Sequence, residues 1–216
     1  MSQKTLITGA AALLILAAFL VWLFIASSQP LPGEKIADLG RGHVPIGEVV
    51  EYNSNPPTSG KHYEDWVRSG VYSEPKDDRN LVHSLEHGYV IMSYNCEKKV
   101  SGFRFQGTVY AHGLEEEASQ SAEESTASAA LSDTFRSDDC HKLVDQLIAI
   151  YEKKGKIRLI VVPRPNMDSR IALTAWNYID KFDPSTSSGL SASDMERIEK
   201  FIDTHLNQGP EKTMEQ

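Results

Sequence analysis

Apolar residues fall along this chain in three kinds of pattern, and each predicts a different element. From Leu6 to Ala26 the run Leu-Ile-Thr-Gly-Ala-Ala-Ala-Leu-Leu-Ile-Leu-Ala-Ala-Phe-Leu-Val-Trp-Leu-Phe-Ile-Ala carries no charge. A helix needs about 20 residues to cross the hydrocarbon core, whereas a cleavable signal has an apolar region of only about 7 to 15. Residues 6–26 are therefore expected to be an uncleaved transmembrane helix, with Trp22 as an interfacial anchor. Lys4 and the amino terminus lead the span, and no positive charge follows it before Gly33. The positive-inside rule then leaves residues 1–5 in the cytoplasm and the C-terminal bulk outside. The expected location is the cell membrane, single-pass, with the lipid bilayer as a partner of residues 6–26. Gln29-Pro-Leu-Pro-Gly33 opens a stiff linker assigned to residues 27–40.

The second pattern is the short apolar or β-branched run. Gly47 to Tyr52, Tyr89 to Tyr94 and Arg158 to Val162 read as strands, the last stopped by Pro163 and Pro165. Ile171 to Tyr178 is divided between strand and helix by its composition. The third pattern is helical. Asp139 to Lys154 carries Leu143, Leu147, Ile148 and Tyr151 on one side, opens acidic and closes on lysines before Gly155. Ser193 to Leu206 starts with Ser193 and Glu196 at capping-box spacing and buries Met195, Ile198, Phe201 and Ile202. Ahead of the first helix, a Glu/Ser/Ala-rich stretch at residues 113–136 has little apolar surface to bury and reads as an insertion. The fold class expected is α+β: a small mixed sheet with two main helices, in one domain over residues 41–209, followed by a tail at 210–216.

Charge narrows the possible partners. The net formal charge is −8, and since Lys4 is the only charged residue before Glu34, the part outside the membrane carries −9. Such a domain is a poor match for nucleic acid, and none is expected as a partner. A protein partner in the cell envelope is compatible with it. The two cysteines, Cys96 and Cys140, belong to no Cys-x-x-Cys motif. Outside the cytoplasm such a pair is expected to form a disulfide, closing the loop that holds the insertion.

The chemistry concentrates in Leu81-Val-His-Ser-Leu-Glu-His-Gly88. In a helical turn His83 and His87 are i and i+4 neighbours, with Glu86 beside them. Upstream, Asn55-Pro-Pro-Thr-Ser-Gly-Lys-His62 is a rigid irregular segment able to present His62. Imidazoles and a carboxylate so gathered can bind a metal: His62, His83 and His87 as ligands, Glu86 as a fourth ligand or as the group orienting them. Met92 and Met167 are possible extra ligands whose thioethers favour copper, so a transition metal is expected as cofactor, copper ahead of zinc. His-x-x-Glu-His is also a peptidase signature, but it needs a long helix, and Gly88 followed by a strand leaves little room for one. His43, His112, His141 and His205 stand alone and are weaker candidates, although His43, upstream of the first strand, could fold back toward the cluster. Arg164 and Arg170 flank a loop where a substrate could sit or pair with the acidic surface.

These segments resemble a known family. Pro56-Pro-Thr-Ser-Gly-Lys-His62, Trp66, Leu81 to Gly88, Val161-Val-Pro-Arg-Pro165 and Ala172-Leu-Thr-Ala-Trp176 occur in an order similar to the bacterial domain-of-unknown-function family numbered 3105, over about His43 to Glu211. The resemblance implies a membrane-anchored domain outside the cytoplasm, no established activity, and a shared motif set containing His62, His83, Glu86 and His87. The insertion with its flanking cysteines departs from that pattern. Three functions remain: a metal-binding extracytoplasmic domain, a non-catalytic structural or interaction domain of an envelope complex with internally satisfied histidines, and a zinc-dependent hydrolase. Enzyme activity is the less favoured expectation.

Overall fold

The computed structural model describes residues 13–23, 30–97, 131–186 and 189–211. Two units are distinct, Met1–Pro32 and Gly33–Gln216. In the first, residues 13–23 form a helix (α1) with its apolar side chains exposed. The remainder of the expected span lies outside the described residues. Among the described residues no helix is long and apolar enough to cross a membrane.

The second unit is α+β. Its described strands are β1 (Glu34–Lys35), β2 (Gly70–Val71), β3 (Val90–Tyr94), β4 (Leu159–Pro163), β5 (Ile171–Ala175) and β6 (Tyr178–Phe182). They form one mixed sheet in the order β1-β6-β5-β3-β4-β2. The β3–β4 and β2–β4 pairs are parallel; β3–β5, β5–β6 and β1–β6 are antiparallel. Helices α2 (Asp78–Glu86), α3 (Asp138–Lys153) and α4 (Ala192–His205) cover it. Along each strand side chains alternate between faces. Val90, Met92, Leu159, Val161, Ile171 and Leu173 pack with the apolar residues of α3 and α4. Ile91, Ile160 and Val162 pack instead with Leu81, Val82 and Leu85 of α2. Burying side chains of this size contributes about 1.5–3 kcal/mol each.

Several expectations need correction. Gly47 to Tyr52 forms no strand. Its Val49 is exposed, Gly47 has φ +92°, and the segment is tied by a Gly47 N–H bond to the Tyr63 hydroxyl and an Arg79 bond to the Glu48 carbonyl. β-Branched composition without a neighbouring strand does not make a ladder. Ile171 to Tyr178 is a strand, a two-residue turn and the start of a second strand. The turn rests on Asn177 at φ +62°, a conformation asparagine tolerates. The α4 capping box uses Ser191 and Asp194, two residues upstream of the expected pair.

The domain also reaches beyond residues 41–209 at both ends. Glu34 and Lys35 pair with β6, and the Glu211 N–H bonds to the Glu86 carbonyl. Of the insertion, residues 113–130 lie outside the described ones. Residues 131–136 are part of the domain, for the 3-10 turn Asp133–Arg136 buries Phe135 against Tyr94. Cys96 and Cys140 form the expected disulfide, joining the chain after β3 to the first turn of α3.

Candidate metal centre

The site is assembled from three stretches of chain. The first is α2, whose helical turn sets His83 and Glu86 side by side. The Asp77 carboxylate caps it by accepting the Arg79 N–H at 2.8 Å, and Asp78 in the first turn suits the helix dipole. Leu81, Val82 and Leu85 fix one face on the sheet. His83 and Glu86 therefore come off the helix one turn apart and 4 % exposed each. Gly88, at φ +81°, ends the helix, donating its N–H to the Leu85 carbonyl at 2.9 Å.

The second stretch is the Pro-Pro-Thr-Ser-Gly-Lys-His loop, which delivers His62 fully buried. Its Nδ1–H donates to the Gly60 carbonyl at 2.8 Å. The third is the segment around His43, aligned with the loop by a parallel β-bridge. Val44 N–H donates to the His62 carbonyl at 2.8 Å, and His62 N–H to the Gly42 carbonyl at 3.0 Å. Sequence reasoning placed His43 among the weaker histidines; nothing local marks it, because the bridge that brings it in spans the chain between the two residues.

One donor atom from each of His43, His62, His83 and Glu86 lies within 4.8 Å of the other three. The hydrogen bonds of the rings determine what these atoms offer. Carbonyls only accept, so His62 and His83 carry their protons on Nδ1, His83 donating to the Tyr63 carbonyl at 2.8 Å. Both Nε2 atoms carry lone pairs, that of His62 facing Glu86 and that of His83 facing His87. This is how ligating histidines are generally fixed, the second nitrogen tied to a carbonyl. The Nε2 of His62 is 2.9 Å from the Glu86 Oε2, yet it is a buried atom with no hydrogen-bond partner, since the two are close but not aligned for a bond. Burial, reinforced by the neighbouring His62 and His87, pushes the His83 pKa down to about 4, against the effect of the Tyr63 bond. His83 is therefore neutral at physiological pH, and its Nε2 can ligate once the bond from His87 is given up.

The other expected ligands are placed differently. His87 is outside the group of four; its Nε2 is 2.8 Å from that of His83, which accepts its proton. The Trp66 ring lies beside both, with centroids 5.4 Å from His83 and 4.9 Å from His87, and Arg68 lies over it at 3.9 Å. Met92 packs among the residues facing α3 and α4, across the sheet from α2. Met167 follows β4, where its carbonyl accepts from Asn95. Neither methionine belongs to the group. Arg164 pairs with the Asp78 carboxylate and with Asn55, beside a surface cleft of ≈ 490 Å³, and Arg170 is buried.

A clasp at the carboxyl end of α2 escaped the sequence reading. Arg158 donates to the His87 carbonyl at 2.7 Å and to the Asn207 Oδ1 at 2.6 Å. Asn207 N–H bonds to the Gly88 carbonyl at 2.7 Å and Glu211 N–H to the Glu86 carbonyl at 3.1 Å. At Gly209 a Cβ would stand 2.2 Å from the Glu86 carbonyl oxygen and 2.3 Å from the Gly88 nitrogen, so only glycine fits. The tail thus sets the backbone of Glu86.

The family described as "Protein of unknown function (DUF3105)" matches residues 43–106 and 105–216. The chain belongs to that family. The DUF3105 match begins at His43 and takes in all four members of the donor group. No curated protein and no solved structure matches the chain.

Proposed function

We propose that this chain is a membrane-anchored domain that binds one transition-metal ion outside the cytoplasm, through His43, His62, His83 and Glu86. One observation carries the reading: two buried imidazoles, each with Nδ1–H fixed on a carbonyl, gather with a buried carboxylate and a third imidazole so that one donor atom of each lies within 4.8 Å of the others. A buried lone pair 2.9 Å from a carboxylate oxygen with no proton between them costs free energy unless a cation sits beside both. Three imidazoles and a carboxylate suit zinc and copper(II) alike. Copper stands first because nitrogen and oxygen sites bind it more tightly across the divalent series. Thioether ligation of copper(I) by Met92 or Met167 has no part in the proposal.

The uncharged run at residues 6–26 supports the anchoring, and the Cys96–Cys140 disulfide supports an oxidising compartment. The His87–His83 bond favours a second reading, in which the histidines satisfy one another inside a structural domain of an envelope complex. Thermal unfolding of the purified full chain, with and without chelator, separates the two. Metal binding predicts a melting temperature that chelator lowers and added metal restores. A melting temperature indifferent to chelator and to metal supports the structural reading.

A further inference from the structure

The four donors are not held alike. His62 and His83 are buried, and each ring is locked by a bond to a carbonyl. Glu86 is buried, and its backbone is clasped by the tail. His43 is exposed, and among the described residues no hydrogen bond holds its ring. Its ring lies beside those of His62, centroids 5.2 Å apart, and His83, 5.0 Å apart. Its backbone is docked all the same, by the Val44 and His62 bonds on either side. The ring can therefore swing away by side-chain rotation while the segment stays in place.

Arg41, two residues upstream, adds an independent observation. It is half-exposed, and its Nε lies 3.6 Å from the Glu86 Oε1. A buried carboxylate stripped of a cation needs a replacement charge, and Arg41 stands where it can supply one. A permanent structural metal site is closed on all sides; this one has three fixed ligands at its base and a loosely held one at its mouth.

We infer that the metal site is an exchange site, in which His43 is the ligand that yields to a nitrogen or sulfur donor of an incoming molecule while His62, His83 and Glu86 retain the ion. The inference rests on the metal-binding reading. In the step, the bond between the metal and the His43 ring nitrogen breaks as a bond to the incoming donor forms. The lone pair stays with His43 and the metal keeps its oxidation state. Arg41 moves onto Glu86 as the ion departs.

The test uses zinc, which has no redox chemistry and so reports ligand exchange alone. The full chain in detergent is loaded with zinc and mixed with a chromophoric chelator, and transfer is followed by stopped flow. The expected rate rises with chelator concentration. His43→Ala should still hold one zinc per chain but release it about tenfold faster, whereas His83→Ala should not retain zinc. Arg41→Ala, which removes a positive charge near the ion, should slow the transfer. A rate independent of chelator concentration overturns the inference, and so does loss of zinc by His43→Ala as complete as that by His83→Ala. A wild-type chain that takes up neither zinc nor copper(II) overturns the metal reading as well, which distinguishes the two failures.

Discussion

At the scale of single residues, the tautomers of His62 and His83 decide what the cluster can bind. Both rings are tied through Nδ1, so each keeps its lone pair on Nε2, and neither can turn to present a proton there without breaking a carbonyl bond. In the metal-free chain this arrangement has a pH signature. The folded pKa of His83 is about 4 and its ordinary value 6.5, with His62, His87 and His43 as the neighbours that reinforce burial. Glu86 and Arg41 are the other charged groups at the cluster. Between those pH values the unfolded chain takes up a proton that the folded chain refuses. The stability this group contributes is thus complete above 6.5 and is lost as pH falls toward 4. Unfolding temperatures measured in chelator should drop from pH 7 to pH 5, and His83→Gln should flatten that slope. An unchanged slope in the variant contradicts the assignment. His62, His83 and Glu86 were legible in the sequence because the local motifs that carry them are compact. His43 was not, because its place depends on a β-bridge rather than on any spacing.

At the scale of elements, α2 does most to build the site, and its environment explains why. The helix is short, with one face on the sheet, and its C-terminal carbonyls are taken by Arg158 and the tail rather than by water. Gly209→Ala should push the tail off Glu86. The expected result is a loss of metal affinity of about tenfold, with a changed visible spectrum of the cobalt-substituted chain. A variant that binds cobalt with wild-type affinity and spectrum removes the clasp from the account. This element was only partly readable in advance. Asp77 is a good cap, but nine residues carry too little periodicity to separate a short helix from an irregular turn. The two-residue strands β1 and β2 have no pattern to detect, and Gly47 to Tyr52 has strand composition without a partner. The longer elements β3, β4, α3 and α4 were legible to within about two residues, since each buries a continuous apolar face.

At the scale of the whole molecule, the sheet separates two kinds of work. One face, covered by α3 and α4, holds the larger core and the disulfide; the other, covered by α2, carries the donor cluster. Reducing Cys96–Cys140 should therefore cost stability, about 3–4 kcal/mol for a loop of this length. It should leave metal stoichiometry unchanged, because the cysteines and the donors pack on opposite faces. Loss of metal on reduction, in chain that remains folded, contradicts that separation. The mixed α+β class followed from the order of segments, whereas the sheet order depends on long-range pairings that no segment encodes alone.

The central claim is that His43, His62, His83 and Glu86 hold one metal ion, and metal content per chain tests it most directly. Elemental analysis of the full chain after equilibration with copper(II) or zinc and removal of excess should give one ion per chain. The same analysis on His62→Ala should give none, while His141→Ala, a change at an exposed histidine of α3, keeps the full complement. Equal, substoichiometric metal in all three chains would contradict the account.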